Sequence, residues 1–183
     1  MNWRTAIQTH YEKVWNVAAV HCPAIGGPIH ELPQDFRILK FPPGQKRRMW
    51  TYATCCMSQP EDAHPFELHI FSRAESEAIV ELLFATAHFH RTGQTLALGH
   101  TINFGKPWQS QSLCDHGLIS LPYLDGPLLE NLDIKSKPLK FYWLIPITKS
   151  EVEFKKKRGL EALEQKLETH AFDYLNPMRP SVE

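Results

Sequence analysis

Apolar residues recur at steps of three and four near the start of the chain, at Trp3, Ile7, Tyr11, Val14, Trp15 and Ala18, and this spacing predicts a first helix. The densest apolar stretch comes much later, at residues 139–147, where Phe141, Trp143 and Ile145 occupy one face of a strand and Tyr142 and Leu144 the other. A strand without a polar face is covered on both sides, which predicts a central place in a sheet. Thr148 and Glu151 then have capping-box spacing, the hydroxyl accepting from the amide three residues on while the carboxylate reaches back. Ile147 and Val152 flank the cap at the spacing of a hydrophobic staple. The helix that follows is predicted to turn Phe154, Leu160, Leu163 and Leu167 inward, with Glu151–Lys155 and Glu153–Lys157 as pairs on its outer face.

Between these ends the pattern changes period several times. Residues 21–33 hold three prolines and the pair Gly26-Gly27, and read as a loop. A short strand is predicted at 36–41, closed by Pro42-Pro43-Gly44. A longer one at 48–57 places Trp50, Tyr52, Thr54 and Cys56 on one face, and 66–71 forms its antiparallel return. Ser72 and Glu75 repeat the capping-box spacing before a helix with Ala78, Ile79, Leu82 and Leu83 inside, ending near Gly93. Further strands are predicted at 100–104 and 118–123, and a tail with prolines follows Phe172. The order is helix, three strands, helix, three strands, helix. It predicts a single α+β domain over residues 1–183, with a mainly antiparallel sheet flanked by helices.

Composition adds boundaries. The 183 residues suit one domain with a real core, and 43% hydrophobic with 22% charged residues is ordinary for a globular protein. Twenty basic residues balance twenty acidic ones, which argues against a dedicated nucleic-acid or membrane-surface binder. Arg4, Glu12 and Lys13 interrupt the first fifteen residues, so they do not read as a signal peptide, and no apolar run approaches the ~20 residues of a membrane span. Cys22, Cys55, Cys56 and Cys114 fit neither a zinc spacing nor a disulfide framework, and Cys55 and Cys56 are expected on opposite faces of their strand. Reduced thiols in a cytoplasmic protein are the expectation.

No residue set volunteers for catalysis. The chain has no Gly-x-Ser-x-Gly elbow, no phosphate cradle around Gly26-Gly27 or Gly99, and no His-Glu-x-x-His or Cys-x-x-Cys motif, so no catalytic residue, metal or cofactor is assigned. His88 and His90 diverge on a helix. His69 and His100, on separate predicted strands with Cys55 or Cys56 as a third ligand, carry a rival reading as a small metal-dependent hydrolase. The basic runs at 46–48 and 155–158 read as an edge protected by charge and a solvated helix face.

One asymmetry bears on partners. No lysine or arginine occurs between Lys106 and Lys135, whereas Asp115, Asp125, Glu130 and Asp133 do, among the apolar residues Trp108, Tyr123, Leu128 and Leu129. Acidic groups around apolar anchors suit a basic protein partner, the charges steering encounter and the apolar groups giving affinity. Asp115, Asp125, Leu128, Glu130 and Asp133 are the candidate partner-binding residues. The competing reading is an acidic loop folded over the core.

The string FYWLIPITKSEVEFKKKRGLEALEQKL resembles the end of the suppressor-of-fused domain family, and WTYATCCMS, FELHIF and GHTINFGKPW match further segments in the same order. The resemblance is strongest over residues 50–167, and Trp50, Tyr52, Gly99, His100, Thr101, Pro146 and Thr148 stand at motif positions that mark the fold. It implies a non-enzymatic protein-binding domain. The animal members hold transcription factors of the hedgehog pathway and carry a second domain, to which nothing here corresponds. The chain is similar to the short bacterial members, for which the implied role is an immunity protein that neutralises a polymorphic toxin. A regulatory adaptor that binds peptides along a sheet edge is the third reading.

Overall fold

The computed structural model describes residues 2–23, 29–45 and 47–183, so Gly26-Gly27 and Lys46 lie outside the described residues. An eight-stranded sheet forms the centre. Its strands are β1 (Val20–Cys22), β2 (Arg37–Phe41), β3 (Trp50–Cys55), β4 (Phe66–Ser72), β5 (Thr101–Asn103), β6 (Cys114–Ser120), β7 (Asn131–Ile134) and β8 (Lys137–Thr148). They lie in the order β1-β2-β3-β4-β8-β6-β5, with β7 also paired to β8. Every pairing is antiparallel except that of β4 with β8. The expected α+β class and mainly antiparallel sheet are therefore present.

β8 organises the sheet, as its two apolar faces predict. On one face Tyr142 and Leu144 join a cluster with Tyr52, Leu68 and Ile70, covered by α2 (Glu77–Thr92) through Ile79, Leu82 and Leu83. On the other, Phe141 packs under α1 (Trp3–Trp15), while Trp143, Ile145 and Ile147 pack under α4 (Lys149–Arg158) and α5 (Leu160–Thr169). The layers are helix, sheet, helix. Burying large aromatic and aliphatic side chains on both faces supplies the main favourable term, about 1.5–3 kcal/mol for each.

Several expectations need correction. β1 occupies part of the expected loop 21–33, because Val20, His21 and Cys22 pair with Lys40, Leu39 and Ile38. Ser72 closes β4 instead of capping a helix, and α2 starts at Glu77 with no side-chain cap. Ala78 is exposed. Cys56 leaves β3 with φ 65°, which brings its side chain into the same cluster as Cys55 rather than to the opposite face. The final helix breaks at Gly159, whose φ of 93° is accessible to a residue without Cβ. Gly99, at a motif position before β5, adopts φ 80°, which a residue without Cβ reaches readily.

The Thr148 capping box forms as expected: the amide of Thr148 donates to Glu151 Oε2 at 2.7 Å, and the Glu151 amide donates to Thr148 Oγ1 at 3.3 Å. Glu151 is not on the outer face. It is fully buried, so the expected Glu151–Lys155 pair is absent, and Glu153 pairs with Lys156 rather than Lys157.

Candidate partner-binding loop and cleft

The segment after β6 folds as a tight loop leading into the short helix α3 (Pro127–Glu130). The amides of Asp125 and Gly126 both donate to Pro122 O, at 2.9 and 2.7 Å, and Gly126 has φ 64°. Asp125 points inward, its side chain only 6% exposed and paired with Arg47, itself 12% exposed. Trp15 Nε1 also donates to Asp125 Oδ1 at 3.1 Å. The Arg47 guanidinium lies between two rings, 5.2 Å from Trp15 and 5.1 Å from Phe71. Burial pushes the Asp125 carboxyl above its ordinary value, while Arg47 and the Trp15 hydrogen bond pull the other way. Leu129 is a second anchor, fully buried, with its carbonyl 2.9 Å from His10 Nε2.

With those two residues turned in, their apolar neighbours turn out: Tyr123 is 57% exposed, Leu124 47% and Leu128 78%. This inverts the expected arrangement of exposed acids around apolar anchors. An apolar group held in water by a fixed backbone is already ordered for contact, which lowers the entropic cost of binding.

The candidate acidic residues do not form one surface. Asp125 is structural, because the buried Arg47 needs its charge. Asp115 sits at the bulge in β6 opposite Ile147 and Thr148, hydrogen-bonded to His116 at 2.6 Å. Asp133 is opposite Pro138, nine residues back along β8, so roughly 30 Å separates the two at 3.3 Å per residue. Glu130 pairs with Lys140 at 3.1 Å. Asp133 and Leu128 are exposed, whereas Trp108 and Leu129 belong to the core. His69 and His100 do not meet. His69 is opposite Trp143, which is opposite Ser120, and the His100 carbonyl accepts from Ile119 on the same strand. Three strand spacings, about 14 Å, separate the two. Burial, with Arg47 nearby, lowers His69 to about 3, so it stays neutral.

Beside the exposed loop is a cleft of 740 Å³ between α5, Tyr123, Leu124 and residues 171–174. Its floor is aromatic: Trp143 stacks on Phe172 at 6.0 Å and meets Tyr174 edge-on at 5.3 Å. Its rim is acidic. Leu163 and Leu167 bind α5 to the core, and Glu161, Glu164 and Glu168, spaced by three and four, face the cleft. Ser120 Oγ donates to Glu164. No lysine or arginine lines the cleft among the described residues.

Sequence reasoning missed this cleft. The spacing of Glu161, Glu164 and Glu168 opposite Leu163 and Leu167 was a readable signal, but the tail that supplies Phe172 and Tyr174 reads only as a stretch with prolines, with no pattern that places it against the core. It is held by Arg179, which is buried against Glu151 through two bonds, Nη1–Oε1 at 2.7 Å and Nη2–Oε2 at 2.8 Å.

The family described as Suppressor of fused protein (SUFU) matches residues 33–180. The fold is similar to the crystal structure of a suppressor-of-fused homologue from Neisseria gonorrhoeae, with a TM-score of 0.86 and 30% identity over 99% of this chain and 97% of that one. It is also similar to Sufu in the Sufu–Fu complex, with a TM-score of 0.71 and 18% identity over 98% of this chain and 92% of the other. Drosophila Suppressor of Fused matches at a TM-score of 0.69 and 18% identity, over 97% of this chain and 50% of its own length. No curated protein matches. At 18% identity the last two structures establish shared architecture, while the family match and the Neisseria homologue extend to sequence, and on those grounds this chain belongs to the suppressor-of-fused family.

Proposed function

We propose that this chain is a non-enzymatic, cytoplasmic protein-binding domain that acts as an immunity protein, neutralising a toxin by stoichiometric occlusion. The observation that carries the reading is the loop at residues 121–130, where a buried ion pair holds Tyr123, Leu124 and Leu128 out in solvent. Large exposed apolar side chains on a fixed loop mark interaction sites. Family membership supports binding as the task, since one solved relative is a complex of Sufu with the protein Fu. The relative from a bacterium, matched over 97% of its length, supports a bacterial role for this form of the fold. No helix among the described residues is long and apolar enough to cross a membrane.

The contact surface in this reading comprises Leu124 and Leu128, flanked by Glu130 and Asp133. Its test is to search the neighbouring reading frames for a toxin domain, whose absence counts against the role, and to co-express any such domain with this chain. The expected result is restored growth and a one-to-one complex, with loss of both in Leu128→Asp. Unrelieved toxicity and no complex with that domain would overturn the immunity role.

A further inference from the structure

The cleft beside the docking loop has a chemistry that selects its occupant. Three carboxylates, Glu161, Glu164 and Glu168, sit along one edge at successive turns of α5, on the face that neighbours spaced by three and four share. The ion pairs of α4 and α5 are made by Glu151, Glu153 and Lys166, and among the described residues these three glutamates have no cationic partner. The floor beside them presents the rings of Phe172 and Tyr174 packed on Trp143, and Tyr123 lies next to Glu164 at the rim. A planar cation satisfies rim and floor at once, stacking on aromatic faces while its N–H groups meet carboxylate oxygens. The protein already packs arginines this way, Arg179 lying 5.4 Å from the Phe172 ring and Arg47 5.1 Å from that of Phe71.

We infer that the cleft receives an arginine side chain from an apolar segment of the protein partner. This rests on the protein-binding reading above and adds the chemistry of the segment bound. Arginine fits better than lysine, because its flat guanidinium both stacks and donates in a fork, whereas an ammonium is a strongly hydrated point charge. The 740 Å³ cleft is within the range of ligand-sized sites, about 300–1,000 Å³, so it holds more than one side chain. That leaves room for an apolar neighbour of the arginine against Leu124 and the aromatic floor.

The test uses the full chain and a blocked peptide, acetyl-Gly-Leu-Arg-Leu-Gly-amide, with a second peptide carrying citrulline in place of arginine. Citrulline keeps the shape and removes the charge. Binding is followed by titration calorimetry and by the change in tryptophan fluorescence, attributed to Trp143 on the cleft floor where it is lost in Trp143→Phe. The arginine peptide is expected to bind about tenfold more tightly than the citrulline peptide, and the difference should shrink at high salt. The double variant E161Q/E168Q alters two exposed side chains, so its melting curve should be unchanged, and the preference for arginine should be lost. Equal binding of both peptides, no binding of either, or an undiminished preference in the variant overturns the inference. The outcome is separable from the toxin test: neutralisation without arginine selectivity removes the cleft alone, and selectivity without neutralisation removes the toxin alone.

Discussion

Arg179 and Glu151 face each other across the end of the sheet as a buried, two-bond pair, although they lie 28 residues apart. Arg179 also donates to the Pro146 carbonyl at 2.9 Å, and Glu151 accepts from the amides of Thr148 and Val182 at 2.7 and 3.0 Å. One carboxylate therefore caps α4 and fastens the tail that completes the cleft. Removing one member of such a pair leaves an uncompensated buried charge. Arg179→Met is expected to destabilise the fold by about 3–5 kcal/mol in urea denaturation, and the additional change Glu151→Gln should recover part of that loss. Burial pushes the Glu151 carboxyl up, but the Arg179 guanidinium and the amides outweigh it and hold its pKa below the usual value. This contribution is present above the ordinary carboxylate pKa and disappears as the pH falls through the depressed one.

A second buried carboxyl acts with the opposite sign. Glu67 lies under the β3–β4 hairpin, accepting from Thr54 Oγ1 at 2.6 Å and from the Met57 and Ser58 amides at 3.2 and 3.3 Å, yet burial raises it from 4.5 to about 8. The folded state therefore holds a proton that the unfolded chain releases, and stability falls as pH rises from about 4.5 to about 8, by up to about 5 kcal/mol. His69 works against this below 6.5, where the unfolded chain takes up a proton that the buried ring refuses. Between pH 6.5 and 8 the Glu67 effect is expected to dominate, giving a downward slope that Glu67→Gln flattens. Denaturation at a series of pH values checks it, and a flat wild-type profile across that window contradicts it.

Trp143 is buried at the centre of β8, in contact with Phe71, Phe172 and Tyr174. Trp143→Ala should cost roughly 3–5 kcal/mol, the range for a large buried aromatic. It should also change the cleft floor, so peptide binding is expected to weaken even where the variant remains folded. Chemical denaturation gives the first quantity and calorimetry the second.

In the loop at residues 121–130, the residues that hold its shape are separate from those proposed to make contact. Asp125→Lys places a cation against the buried Arg47 and should lower stability by more than about 3 kcal/mol. Asp133→Lys alters an exposed side chain and should leave the melting temperature unchanged while slowing association with a basic partner. Leu128→Ala should instead speed dissociation, since apolar anchors set the off-rate. Stopped-flow association and dissociation rates at two salt concentrations distinguish the three.

Features governed by neighbours in sequence were legible. The apolar faces of β8, the β3–β4 return, the Thr148 cap and the helix end near Gly93 all depend on residues within one element or one turn. The site was less legible, because its form depends on distant pairs. Asp125 reads as an exposed acid until Arg47, 78 residues earlier, is seen to need it. Phe172 and Tyr174 read as tail until Arg179 is seen to reach Glu151. Gly159 was visible inside a helical pattern, and its break re-aims α5 so that a row of glutamates meets the cleft.

The clamp between Arg179 and Glu151 also sets an order of events during synthesis. A growing chain that has emerged only as far as α5 carries Glu151 against the sheet with no counter-charge, and its cleft lacks the rings of Phe172 and Tyr174. Until residue 179 leaves the ribosome, the nascent domain can lay down its sheet but cannot complete the cleft. Any ligand of the cleft, met before that moment, finds only half of its site.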